Sequence, residues 1–127
     1  MKKMCVVLIL IWLFIPFFCF ASDMVNENSS ATLTLTFRNE KGVAVTPTTI
    51  KYRIDDLSSG ANITPVTSVT PSSSVYDVSI FSNENRIIAP ARPYEQRRVT
   101  VQWYSGTTLV GTADYVYRVI NLNKVPF

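Results

Sequence analysis

In the run Thr49-Ile50-Lys51-Tyr52-Arg53-Ile54-Asp55-Asp56-Leu57, apolar Ile50, Tyr52 and Ile54 alternate with polar Thr49, Lys51, Arg53 and Asp55. A period of two belongs to a strand with one face in a core and the other in water. A helix needs its apolar residues three and four apart, and charged residues stand where that stripe would run. Asp55 and Asp56, with Ser58-Ser59-Gly60 behind them, supply turn chemistry that ends the strand. Every other segment of the folded part reads as a partner for this strand.

The first 21 residues stand apart. Met1-Lys2-Lys3 is a short positive start, Cys5 to Phe20 is almost wholly apolar apart from Pro16, and Cys19-Phe20-Ala21 puts small residues where a signal peptidase reads. Residues 1–21 are therefore expected to be a secretory signal. The alternative is an uncleaved anchor formed by residues 5–20, although a span needs about 20 apolar residues and Pro16 suits a break before cleavage. Bulky Phe17 and Phe18 argue against a lipoprotein site at Cys19. Both cysteines, Cys5 and Cys19, lie in this leader. The remaining chain can form no disulfide, so its stability must come from sheet pairing and apolar burial. Of 12 basic and 9 acidic residues, Lys2 and Lys3 also belong to the leader. Without them the charges nearly balance, and the high pI gives no support to a nucleic-acid partner.

Residues 22–30 are polar and read as a flexible linker. From Ala31 to Arg38, Leu33, Leu35 and Phe37 alternate with Thr32, Thr34 and Thr36. Asn39-Glu40-Lys41-Gly42 is a turn, and Pro47 stops the short extension behind it. Ala61 to Val69 is a weaker strand whose Pro65 belongs on a sheet edge. In Val75 to Phe81, Tyr76, Val78 and Ile80 are the inward set. Ser82 to Arg92 is a longer connection that crosses between sheets, with Ile87 and Ile88 plugging the end of the core. Gln96 to Tyr104 sends Val99, Val101 and Trp103 inward. Leu109 to Leu122 sends Ala113, Tyr115, Tyr117 and Val119 to one face, and Gly111 marks a bulge or bend. Short strands at spacings of about 8–12 residues, with no helical stretch, predict an all-β, antiparallel β-sandwich of about seven strands over residues 31–127.

Chemistry-bearing residues are sparse. The chain contains no His, and only the leader contains Cys. Nucleophilic triads and the usual zinc sites are thereby excluded, and four glycines at turns make no phosphate loop. Asp55, Asp56, Asp77, Glu95 and Asp114 are read as solvated carboxylates at strand ends rather than as a catalytic pair. Asp55-Asp56 is the best calcium candidate, but it lacks the further acidic ligands that a tight site needs, so turn formation is the expected role. No catalytic residue, metal or cofactor is expected. Arg86, Arg92, Arg97 and Arg98 surround Tyr94 and form the densest charge feature, while Tyr104 looks outward at the far end of its strand. Arg86, Arg92, Tyr94, Arg97 and Tyr104 are the candidate surface-contact residues, against the plainer reading of a solvated rim. Asn28-Ser29-Ser30 and Asn62-Ile63-Thr64 match the glycosylation pattern.

Thr49-Ile-Lys-Tyr-Arg-Ile-Asp-Asp-Leu, Val69-Thr-Pro-Ser, Glu95-Gln-Arg-Arg-Val-Thr-Val and Tyr115-Val-Tyr-Arg-Val-Ile-Asn-Leu stand in the order of a familiar pattern. Over Ala31 to Leu122 the chain resembles small Ig-like or fibronectin type III-like proteins of tailed bacteriophages and prophages. The resemblance implies that the β-sandwich is Ig-like, a non-catalytic module at a virion surface or in adhesion, and it carries over no binding residues. Such proteins usually start close to their first strand, whereas this chain has a leader, which favours export. The expectation is an exported, periplasmic, cell-surface or secreted domain that contacts a protein or glycan surface, with no nucleic acid and no membrane contact beyond the N-terminal segment. The alternative is a virion structural or decoration protein, for which Met24 would be the initiator.

Overall fold

The computed structural model describes residues 23–124; the leader read from residues 1–21 lies outside them. Seven strands follow in order: β1 (Met24–Asn26), β2 (Ala31–Thr36), β3 (Thr49–Asp56), β4 (Asn62–Val69), β5 (Val75–Ile80), β6 (Tyr94–Ser105) and β7 (Thr108–Ile120). One sheet has the order β1-β7-β6-β3-β4 and the other pairs β2 with β5. The architecture is an all-β sandwich. Every pairing is antiparallel except β1 with β7.

Alternation explains the core. Ile50 and Ile54 of β3 face Trp103 and Val99 of β6 across the ladder and are fully buried. Val78 and Ile80 close the core from the small sheet, while Val99, Val101, Tyr117 and Val119 line it from the large one. The middle place in the large sheet belongs to β6, which pairs along its whole length with β7 and also with β3. Both β6 and β3 are paired on two edges, but β6 has 12 residues and β3 eight, so β6 carries the longer ladders. Pro65 lies on β4, the outer strand, where a missing N–H removes no ladder bond.

Gly111 marks a bulge, as its position in the strand suggests. Trp103 pairs with Gly111 but Tyr104 pairs with Leu109, so Val110 is the extra residue. The Trp103 ring lies against Gly111, where an added Cβ would sit 2.3 Å from Trp103 Cζ2. Trp103 in turn packs on Phe37 with ring centroids 5.6 Å apart. Gly111→Ala is expected to displace the indole and to lower stability by about 1–3 kcal/mol. Urea denaturation followed by tryptophan fluorescence checks this, since both the midpoint and the native emission should move.

Three expectations need correction. Of the expected linker over residues 22–30, the described residues 23–30 are not free. Met24–Asn26 pairs in parallel register with Arg118–Ile120, and Arg118 N–H donates to the Asp23 carbonyl at 2.9 Å, so the sandwich begins at Asp23 rather than Ala31. A three-residue strand bound by its backbone leaves no alternation for a sequence to display. The plug is Ile87 alone, half-buried against the core, while Ile88 is 39% exposed. Finally, Asp56 and Glu95 are not solvated: both are fully buried.

Candidate binding surface

One end of the sandwich is held by buried charge. Asp56 ends β3, Arg97 stands directly opposite it on β6, and Glu95 lies two residues before Arg97 on the same face. All three side chains have no solvent exposure. Arg97 Nη1 donates to Asp56 Oδ1, and Nη2 donates to Glu95 Oε2 at 2.9 Å and to the Arg86 carbonyl at 2.8 Å. Glu95 also accepts from the backbone N–H groups of Ile88, at 3.1 Å, and Ala89, at 2.7 Å. Asp56 Oδ2 accepts from Ser59 N–H at 2.7 Å and so caps the β3–β4 turn. The planar guanidinium fork suits this task, because it presents several donors at fixed angles. The triad ties two strands to the backbone of the β5–β6 connection at residues 86, 88 and 89.

A second set of bonds holds the same connection from the other side. Buried Asn85 donates to the Ser29 carbonyl at 2.7 Å and accepts from the Tyr117 hydroxyl at 2.8 Å. Buried Asn121 donates to the carbonyls of Pro90 and Arg92, at 3.1 and 2.9 Å. Burial raises the Tyr117 pKa well above that of a free tyrosine; the Arg97 charge lowers it in part and Glu84 adds to the rise. The native state therefore holds this proton more tightly than the unfolded chain, where tyrosine titrates near pH ~10. The stabilisation is complete below that pH and is lost as pH rises towards the higher native value. Tyr117→Phe leaves Asn85 Oδ1 without its donor and is expected to cost about 1–3 kcal/mol at neutral pH. The gap between native protein and variant should narrow above about pH 10, which urea titrations on either side of that pH would measure.

The five candidate contact residues fall in different places. Arg97 is buried in the triad and cannot touch a partner: parity with Val99 and Val101 turns it inward, and two carboxylates neutralise it there. Arg92 is half-buried, and its carbonyl serves Asn121. Tyr94 is exposed at the start of β6 beneath the Arg118 guanidinium, 4.7 Å from its ring centroid. Tyr104 lies near the other end of the strand with Lys51 5.0 Å from its ring centroid. Ten residues of strand separate the two tyrosines by roughly 33 Å, so they cannot share one small ligand. Arg86 is exposed on the β5–β6 connection. The calcium candidate also divides. Asp55 bonds Asn62 and Arg53 on the outer face while Asp56 turns inward, and among the described residues no three acidic, His or Cys side chains converge.

Beside Arg86 is a cleft of about 330 Å³, within the range of small-ligand sites, lined by Asn62, Ile63, Asn83, Glu84 and Ile88. Glu84 bridges its two walls, accepting from the Thr64 hydroxyl on β4 and from Phe81 N–H at 2.7 Å. Only Arg86 of this group was a contact candidate from sequence; Asn62 and Ile63 stood out as part of a glycosylation pattern and Ile88 as a core plug. The lining residues come from segments some twenty residues apart, and their meeting depends on the β3–β4 turn and on how the connection folds. Comparison with protein-family models, with curated proteins and with solved structures finds no match to this chain.

Proposed function

We propose that this chain is an exported, non-enzymatic Ig-like module that works by surface contact with a protein or glycan. The strand order supports the Ig-like reading: a two-stranded sheet faces a five-stranded one, and β5 to β6 crosses between them. The observation that carries the functional reading is the β5–β6 connection, which is tied down from beneath by buried charge and amide side chains while Phe81, Arg86 and Ile88 are exposed along it. A loop held rigid by its scaffold is a suitable contact surface, because little ordering entropy remains to be lost on binding. Fractionation of cells expressing a C-terminally tagged copy, with mass measurement of the N-terminus, tests the proposal. A mature chain beginning at Ser22 outside the cytoplasm is expected; full-length protein in the cytoplasm with its leader intact would reject export.

One observation favours the virion reading as the alternative. Among the described residues all seven strands lie from Met24 onward, so initiation there would retain each of those strands. An N-terminus at Met24 or Val25 would select that reading.

A further inference from the structure

We propose that the cleft beside Arg86 is a binding site for a carboxylated sugar residue, such as a sialic or uronic acid at the end of an acidic glycan; this rests on the surface-contact reading above. Burying three charges is unfavourable unless partners offset most of the cost; Arg97 Nε has no partner, so the bonds made by its two Nη atoms and by the carboxylates carry the triad. Here the partners include the Arg86 carbonyl and the N–H groups of Ile88 and Ala89. The triad therefore fixes the backbone of the residues that form one wall of the cleft. Glu84, held by Thr64 and Phe81 N–H, fixes that wall to β4.

The residues lining this space match one ligand chemistry. Arg86 is exposed and forms no ion pair among the described residues, so its guanidinium is free to take a carboxylate in two parallel hydrogen bonds. Glu84, the one acidic group in the lining, already has a donor on each oxygen. Asn83 forms no side-chain hydrogen bond among the described residues. Asn62 is committed elsewhere, its NH₂ bonding Asp55 and the Thr64 carbonyl. The Asn83 amide, which can both donate and accept, suits the hydroxyls of a sugar ring, and Ile63 and Ile88 offer apolar surface to its C–H face. An acidic peptide would satisfy Arg86 but would make less use of the Asn83 amide.

Amide chemical shifts of nitrogen-labelled protein, purified from the expressing cells, test this by titration with N-acetylneuraminic acid, glucuronic acid, galactose and an oligo-aspartate peptide. Saturable shifts at Asn62, Asn83, Arg86 and Ile88 are expected with at least one carboxylated sugar, and none with galactose. Arg86→Gln should weaken that binding about tenfold or more without moving the thermal midpoint, and Asn83→Ala should weaken it while keeping the preference over galactose. Arg53→Gln, which removes an exposed arginine of the outer sheet face, should leave it unchanged. An equal response to galactose, tighter binding of the peptide, silence towards every probe, or full affinity in Arg86→Gln would overturn the assignment. Shifts confined to another part of the surface would overturn it too while leaving the surface-contact reading intact. The fractionation result judges export independently of this site.

Discussion

Replacing Arg97 by Met should unfold the protein at much lower urea, with a loss of about 3–5 kcal/mol. Arg97 is the only cation in contact with Asp56 and Glu95 among the described residues, and all three are sealed from water. Without it two carboxylates remain buried close together, which must either take up protons or draw water into the end of the sandwich. A single domain of this size has about 5–15 kcal/mol in total, so the variant should be near the limit of folding. Lysine should not rescue it. An ammonium group is a point charge on a flexible stem, whereas the guanidinium reaches Asp56, Glu95 and the Arg86 carbonyl from two nitrogens at once. Urea midpoints at constant m-value give the loss, and amide exchange at Ile88 and Ala89 should accelerate, because their acceptor Glu95 is released. A loss under about 1 kcal/mol would mean that the triad is not what holds the connection.

Much of the sandwich was legible from alternation, and the same rule held more than residue chemistry suggested. Ile54 and Asp56 share a face of β3, and Val99, Arg97 and Glu95 share a face of β6, so parity alone turns all three charged residues inward. Their charge argued for a rim. Parity prevailed because the register sets Asp56 opposite Arg97, giving each charge a partner where the apolar run stops. The bulge at Gly111 and the edge position of Pro65 were legible too, each from a residue whose backbone restricts its place. What stayed hidden depends on backbone partners. β1 is held by three residues of ladder, and Asn85 and Asn121 bond carbonyls far along the chain. No pattern of side-chain types announces such bonds. The cleft was hidden for the same reason: Arg86 was visible as one of a group of basic residues, but Asn62 and Asn83 come together only once β4 and the connection are in place.

The alternation on β3 can itself be tested at two adjacent positions. Ile54 is 1% exposed and lies between Val99 of β6 and Thr64 of β4. Ile54→Ala removes buried carbon from beneath the point where both ladders meet, and should cost about 2–5 kcal/mol, depending on how far the sheets close over the cavity. Its neighbour Arg53 points the opposite way, with a side chain 46% exposed and an ion pair to Asp55 at 3.0 Å. Exposed pairs of this kind contribute about 0–1 kcal/mol, so Arg53→Ala should hardly move the urea midpoint and should lose its small effect in high salt. The contrast carries the inference. In a strand, one step along the chain is the whole distance between core and solvent, whereas in a helix two adjacent residues lie only part of a turn apart and would differ less. Similar losses in the two variants would mean that β3 is not buried on one face alone, and the inward placement of Asp56, two residues further on, would lose its basis as well.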